Sequence, residues 1–250
     1  MDEVVIVSAT RTAIGRFGGA LRDLQALDLA VPVLHEAVQR AGLEPAQVDE
    51  VILGHVAVSG EEPNVSRQAA LMADFPVEVT ARGVERQCGS GLQAICDAVM
   101  QIQTGNSRIV VAGGLESMSN YEYYVTGARW GMRVGSQVFC DRWDRSSETC
   151  SSYRFRVIPS MMHTAANVAE KLGISREEQD EFALRSQLNA ALAMEAGRFA
   201  EEIVPVSVPQ KKGDALAFDR DEHPRPETTR ESPAKLKPLV EEARSSPPFS

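Results

Sequence analysis

Short β-branched runs that alternate with amphipathic stretches constrain this chain more than any other feature. Residues 3–9 (EVVIVSA), 48–58 (VDEVILGHVAV), 77–82 and 108–112 (RIVVA) each read as a strand bounded by turn-forming residues. Between the first two, Leu24, Leu27, Val31, Leu34 and Val38 recur at steps of three or four, so a helix is expected over 24–41, with Pro32 inside it and Gly42 ending it. Asn64 is placed to cap a short helix over 65–73. A further helix is expected over 89–104, with Leu92, Ile95, Val99 and Ile102 on one face. Strand, helix and strand at these spacings call for an α/β fold, a mostly parallel sheet covered by helices.

The second half differs. Periodicity disappears over residues 119–160, which hold both tryptophans, all four tyrosines and two cysteines. A stretch of that length without regular structure points to a task, as a lid, an oligomer contact or a ligand wall. Helices resume over 164–172 and again after Ser175, which forms a capping box with Glu178; the second helix stops at Gly197. Residues 202–208, with Pro205 inside, suit an edge strand, and the polar remainder carries the run FDRDEHPRPETT.

Charge narrows the function classes. Lys and Arg number 26 against 35 Asp and Glu, a formal charge of -9, which argues against a nucleic-acid partner, since a phosphate backbone needs a concentrated basic field. No run of eighteen apolar residues is present, so no membrane partner is expected. The opening residues lack the basic head and long apolar core of an export signal, and a cytoplasmic location is expected. Cys88, Cys96, Cys140 and Cys150 form no CxxC pair, which disfavours a metal site and leaves each thiol as core filling or as a reagent. Gly15, Gly18 and Gly19 match neither a dinucleotide fingerprint nor a phosphate loop.

Chemistry concentrates at ERQCGSGLQAICDAV, residues 85–99. Cys88 is expected just after a strand, at the first position of a helix, where unpaired N–H groups and the helix dipole favour a thiolate. The competing reading makes it a small buried hydrophobe opening a core helix. Cys96, eight residues on, reads as core filling. Among His35, His55, His163 and His223, none has the sequence context of a base at a strand end. The residues thus offer a nucleophile without a partner.

Residues 77–119, VEVTARGVERQCGSGLQAICDAVMQIQTGNSRIVVAGGLESMS, resemble the core signature of thiolases, the coenzyme A-dependent acyltransferases that make or cleave 3-ketoacyl-CoA. Four further segments are similar: RTAIGRFGGAL (11–21), GISREEQDEFALRSQ (173–187), GRFAEEIVPV (197–206) and DEHPRPETTRESPAKLKP (221–238). The resemblance runs from residue 4 to about residue 239.

It implies a thiolase-like amino-terminal domain over 1–118 carrying the nucleophile, a loop domain over 119–238 that covers CoA and makes oligomer contacts, and a divergent or disordered tail over 239–250. Cys88 is implied to be the nucleophile that takes the acyl group. Met161 and Met162 fall beside the implied pantetheine channel, and Arg225 near the nucleotide end of CoA; the competing readings are core packing for the methionines and a solvated charge for the arginine. Glu116 and Ser117 are expected to tie loop backbone. CoA or acyl-CoA enters as substrate, with no permanently bound cofactor and no metal. The family's activating histidine and second cysteine belong to a second catalytic domain that this sequence does not match. The chain is therefore expected to be an acyltransferase incomplete alone, working as a homo-oligomer or with a complementary carboxy-terminal half. The alternative is a non-catalytic thiolase-like module that binds CoA or a partner subunit, or a truncated fragment.

Overall fold

The computed structural model describes residues 3–149 and 160–240. In chain order the elements are β1 (Arg11–Thr12), α1 (Ala26–Arg40), β2 (Glu50–Gly54), α2 (Val65–Met72), β3 (Thr80–Val84), α3 (Ser90–Gln103) and β4 (Val110–Gly114). There follow β5 (Tyr123–Tyr124), β6 (Cys140–Asp141), α4 (Arg142–Thr149), α5 (Met161–Leu172), α6 (Arg176–Glu195), β7 (Ile203–Val204), β8 (Val206–Val208), β9 (Leu216–Phe218) and α7 (Glu231–Ala234). The described chain forms two compact units, Met1–Asn120 with Phe199–His223, and Tyr121–Arg198 with Pro224–Ser250. The stretch expected as one loop domain over 119–238 is thus interrupted: residues 199–223 return to the first unit, because β7 pairs with β1 and the β8–β9 hairpin fills a core there.

In the first unit β3, β2 and β4 form a parallel sheet in that order, with Glu50 opposite both Thr80 and Val110. The two crossovers, β2 to β3 through α2 and β3 to β4 through α3, run in opposite directions across the sheet, so right-handedness puts α2 and α3 on opposite faces. The strand period does the rest. Val51 and Leu53 point to a core shared with Leu34 and Val38 of α1 and Ala69 and Ala70 of α2, while Ile52 points to Ala94 and Ala98 of α3. A second cluster joins Ala13, Leu21 and Leu24 to Val206, Val208 and Phe218. Among the described residues no helix is long and apolar enough to cross a membrane.

Two sequence expectations are corrected. Residues 3–9 belong to no strand, and Val5, Ile6 and Val7 are exposed, because no described strand lies alongside to complete a ladder. Helix α3 buries Ser90, Ala94 and Ala98 rather than the larger apolar face; Leu92 is 68% exposed, and Cys96 is exposed rather than core filling. Small residues let α3 lie close on the sheet, which turns Leu92, Ile95 and Met100 outward. β4 pairs only with β2 among the described strands, and a cavity of about 980 Å³ is bounded by Val4, Ile6, Val99, Val111 and Leu115.

In the second unit α5 is capped by Ser160, and α6 begins with the expected box: Ser175 Oγ accepts from Glu178 N–H, and the Glu178 side chain accepts from Ser175 N–H. Short strands β5 and β6 pair antiparallel, and Tyr121 lies against Trp143 with ring centroids 6.0 Å apart. Residues 241–250, most of the expected tail, and Cys150 lie outside the described residues.

Candidate active site

The C-terminal ends of β2, β3 and β4 meet where the strand order reverses, the place in open α/β sheets where ligands bind. Three glycines shape it. A Cβ on Gly54 would lie 2.3 Å from the Ser90 carbonyl carbon and 2.4 Å from Gly91 N, and one on Gly114 would lie 3.2 Å from Gly91 Cα. The start of α3 therefore rests on strand backbone with no side chain between.

Cys88 precedes that helix start. Gly89 is the N-cap, so the cysteine stands one position before the cap rather than at the expected first helical position. Between β3 and α3 the chain turns sharply through Gln87, whose φ of 50° is in the left-handed region, a strained conformation for this residue type. Ser90, buried beneath, holds the turn: its Oγ accepts from Arg86 N–H at 2.8 Å and donates to the Gln87 carbonyl at 2.6 Å. Gly89 N–H donates to the Arg86 carbonyl at 3.1 Å. The result presents the Cys88 thiol at an exposed apex. The buried-hydrophobe reading of Cys88 is thereby excluded.

Polar bridges brace the turn. Arg86 donates to the Gln93 side chain, Gln93 Nε2 donates to Asp97 Oδ1 at 2.6 Å, and Arg82 joins Asp97 and Glu50 at 3.0 Å each. The Gln93 hydrogen bond holds the Asp97 carboxyl below its ordinary value, with Arg82 adding to it against desolvation. Beside the sheet ends Glu116 accepts from Val56 N–H at 2.9 Å and Ala57 N–H at 3.2 Å, and lies 3.4 Å from His55 Nε2. Burial pushes the Glu116 carboxyl up, but His55 and the two N–H donors outweigh it and hold it below its usual range. Ser117 Oγ donates to the Leu24 carbonyl at 2.8 Å. Glu116 and Ser117 thus tie loop backbone, as expected.

Several N–H groups of the glycine loop after β1 are already occupied. Asp221 accepts from Ile14 N–H at 2.7 Å and pairs with Arg11, while Glu222 accepts from Arg16 N–H at 2.8 Å and Ala20 N–H at 3.2 Å. Carboxylates fill the place a phosphate would need.

The other expected site residues lie in the second unit. Met161 and Met162 open α5 and are exposed, so neither is core packing. Arg225 is exposed, and its backbone N–H donates to Gln187 Oε1 of α6 at 2.7 Å. His163 is engaged by the α5 cap, with Nδ1 2.8 Å from Ser160 Oγ. Among the described residues no group of three or more His, Cys, Asp or Glu side chains is arranged to hold a metal. Sequence reasoning missed the His55–Glu116 pair and the Asp221–Glu222 clamp. The only signal for the first was a polar residue one or two positions after the glycine that ends each of two strands.

Comparison with known proteins follows the same outline. The family description "Thiolase, N-terminal domain" matches residues 4–243. The chain is 45% identical to an acetyl-CoA acetyltransferase of Pseudomonas aeruginosa over 240 residues, covering 95% of this chain and 60% of that protein. With an acetyl-CoA acetyltransferase of Cupriavidus necator the identity is 44% over 245 residues, covering 97% and 61%. The crystal structure of the Bacillus anthracis acetyl-CoA acetyltransferase superposes with a TM-score of 0.88 at 46% identity, covering 95% of this chain and 59% of that one. The chain thus spans about 60% of the length of these relatives. With the family description matched over nearly the whole chain and the α/β fold shared, the chain belongs to the thiolase family, of which it carries the amino-terminal domain.

Proposed function

We propose that the chain is the nucleophile-bearing part of a thiolase-type acyltransferase acting on acyl-CoA or 3-ketoacyl-CoA. The observation that carries this is the exposed Cys88 thiol on a braced turn, immediately before α3, in a chain of this family. The Cys88 thiolate attacks the thioester carbonyl carbon, the carbon–sulfur bond to CoA breaks, and CoA leaves as a thiolate that takes a proton. The backbone N–H of Cys88 itself is suited to help hold the oxyanion. Met161, Met162 and Arg225 are assigned to CoA, the methionines along the pantetheine and the arginine at its phosphates, where a guanidinium binds well. Condensing two acetyl groups also requires a base for the α-proton, and we assign that to a complementary carboxy-terminal half. The edge of β4 that is unpaired among the described residues, the cavity beside it and the exposed apolar residues of α3 support such a partner.

Incubation with acetyl-CoA, followed by intact mass and peptide mapping, tests the assignment. Acetyl-Cys88 should form slowly, be absent in Cys88→Ser, and appear without acetoacetyl-CoA absorbance. Absence of any Cys88 adduct, with and without a co-expressed second half, overturns it.

A further inference from the structure

His55 is a titratable side chain buried in the first unit that the acyl transfer does not use. It is 4% exposed, its Nε2 faces Glu116, and its Nδ1 is buried with no hydrogen-bond partner among the described residues. This asymmetry assigns the tautomer: a proton on Nε2 is used, whereas one on Nδ1 would be a buried donor without an acceptor. The Nε2 proton then points toward Glu116, whose Oε1 lies 3.4 Å from Nε2, a longer contact than an ordinary hydrogen bond.

That contact sits at a junction. The His55 backbone N–H donates at 3.0 Å to the carbonyl of Val84, the last residue of β3 and four residues before Cys88. Leu115 N–H donates at 3.0 Å to the carbonyl of Gly54, the glycine on which α3 rests. Glu116 gathers Nε2 and the N–H groups of Val56 and Ala57 on one carboxylate. The pair thus fastens the loop after β2 to the loop after β4, on either side of the seat of the helix that Cys88 precedes.

We propose that His55 is a positioning residue for Cys88 and acts by Nε2–H donation to Glu116, not by its volume. The proposal rests on the reading of Cys88 as nucleophile. It separates two substitutions that a packing role would rank oppositely. Glutamine retains an N–H near the ε position and removes the unpartnered Nδ1. Leucine fills the space and donates nothing, leaving Glu116 short of one donor.

The test is brief iodoacetamide labelling of the full chain, with Cys88 and Cys96 quantified by peptide mapping. Cys96 is exposed eight residues along and serves as an internal reference for reagent and for unfolding. The wild-type ratio should favour Cys88. His55→Gln should hold that ratio within about twofold, and His55→Leu should lower it roughly tenfold, the scale of one hydrogen bond to a charged acceptor. Glu116→Gln should lower it similarly, and decides the matter if His55→Leu fails to fold. A high wild-type ratio that His55→Leu or Glu116→Gln leaves unchanged overturns this proposal alone. So does a His55→Gln ratio as low as that of a folded His55→Leu. A wild-type ratio near one overturns the nucleophile reading, and the proposal with it.

Discussion

Replacing Gly54 by alanine asks whether α3 is seated directly on strand backbone. The added methyl would lie 2.3 Å from the Ser90 carbonyl carbon, 2.4 Å from Gly91 N and 2.6 Å from Ser90 O. All three are backbone atoms, so no side-chain rotation relieves the overlap. Carbon contacts settle at about 3.5–4.0 Å, and α3 must lift by about 1 Å or more. Lifting is opposed by the Arg82–Asp97 bridge and by Ala94 and Ala98 against Ile52. Overpacking a filled interior costs about 1–3 kcal/mol, and a clash with backbone belongs at the upper end. At about 2–4 °C per kcal/mol for a chain of this size, the melting temperature should fall by about 6–12 °C. Gly83→Ala is the matched control in the same sheet, since its Cβ would meet nothing closer than 3.8 Å, and Gly114→Ala, with contacts at 3.2 Å, should fall between. Circular-dichroism melts of the three variants give the order, and the Cys88-to-Cys96 labelling ratio shows whether the turn moved. If Gly54→Ala melts within about 2 °C of Gly83→Ala with an unchanged ratio, the seating described here is wrong.

Two further outcomes are expected. Asp221 is raised by burial but held below its ordinary range by Arg11 and Ile14 N–H, so its stabilisation is present above the usual carboxylate range and is lost as pH falls through the depressed folded value. Asp221→Asn should therefore destabilise by about 2 kcal/mol at neutral pH, and the gap to wild type in urea midpoints should narrow below roughly pH 4; a gap independent of pH contradicts the pairing. Arg225→Ala should weaken CoA binding by about tenfold in calorimetric titration if the guanidinium meets phosphate, and unchanged affinity removes it from the site.

What the sequence reveals and what it hides divide along the range of the interactions. Val51, Ile52 and Leu53 and the apolar steps of α1 announce themselves within a few residues, and β2, α1, α2 and the capping box of α6 were legible for that reason. Val5, Ile6 and Val7 carry the same local signal without a neighbouring strand, and pattern alone does not supply one. The buried face of α3 was misread because the larger side chains dominate a hydrophobic pattern, whereas Ala94, Ala98 and three glycines govern how near the helix can come. At the site, the Cys88 turn was visible as a motif. Its supports were not, since Ser90, His55 and Glu116 matter through hydrogen bonds that only the folded strand ends bring together.

The carboxylates of Asp221 and Glu222 close the loop around Ile14, Arg16 and Ala20 across more than 200 residues of chain. On a ribosome these two ends are separated in time. At about 5–20 residues per second, roughly 10–40 s pass between synthesis of the loop and arrival of its acceptors. During that interval β2, β3 and β4 can assemble from sequence already made, while the loop keeps its N–H groups in water. The segment synthesised among the first is thereby among the last to settle.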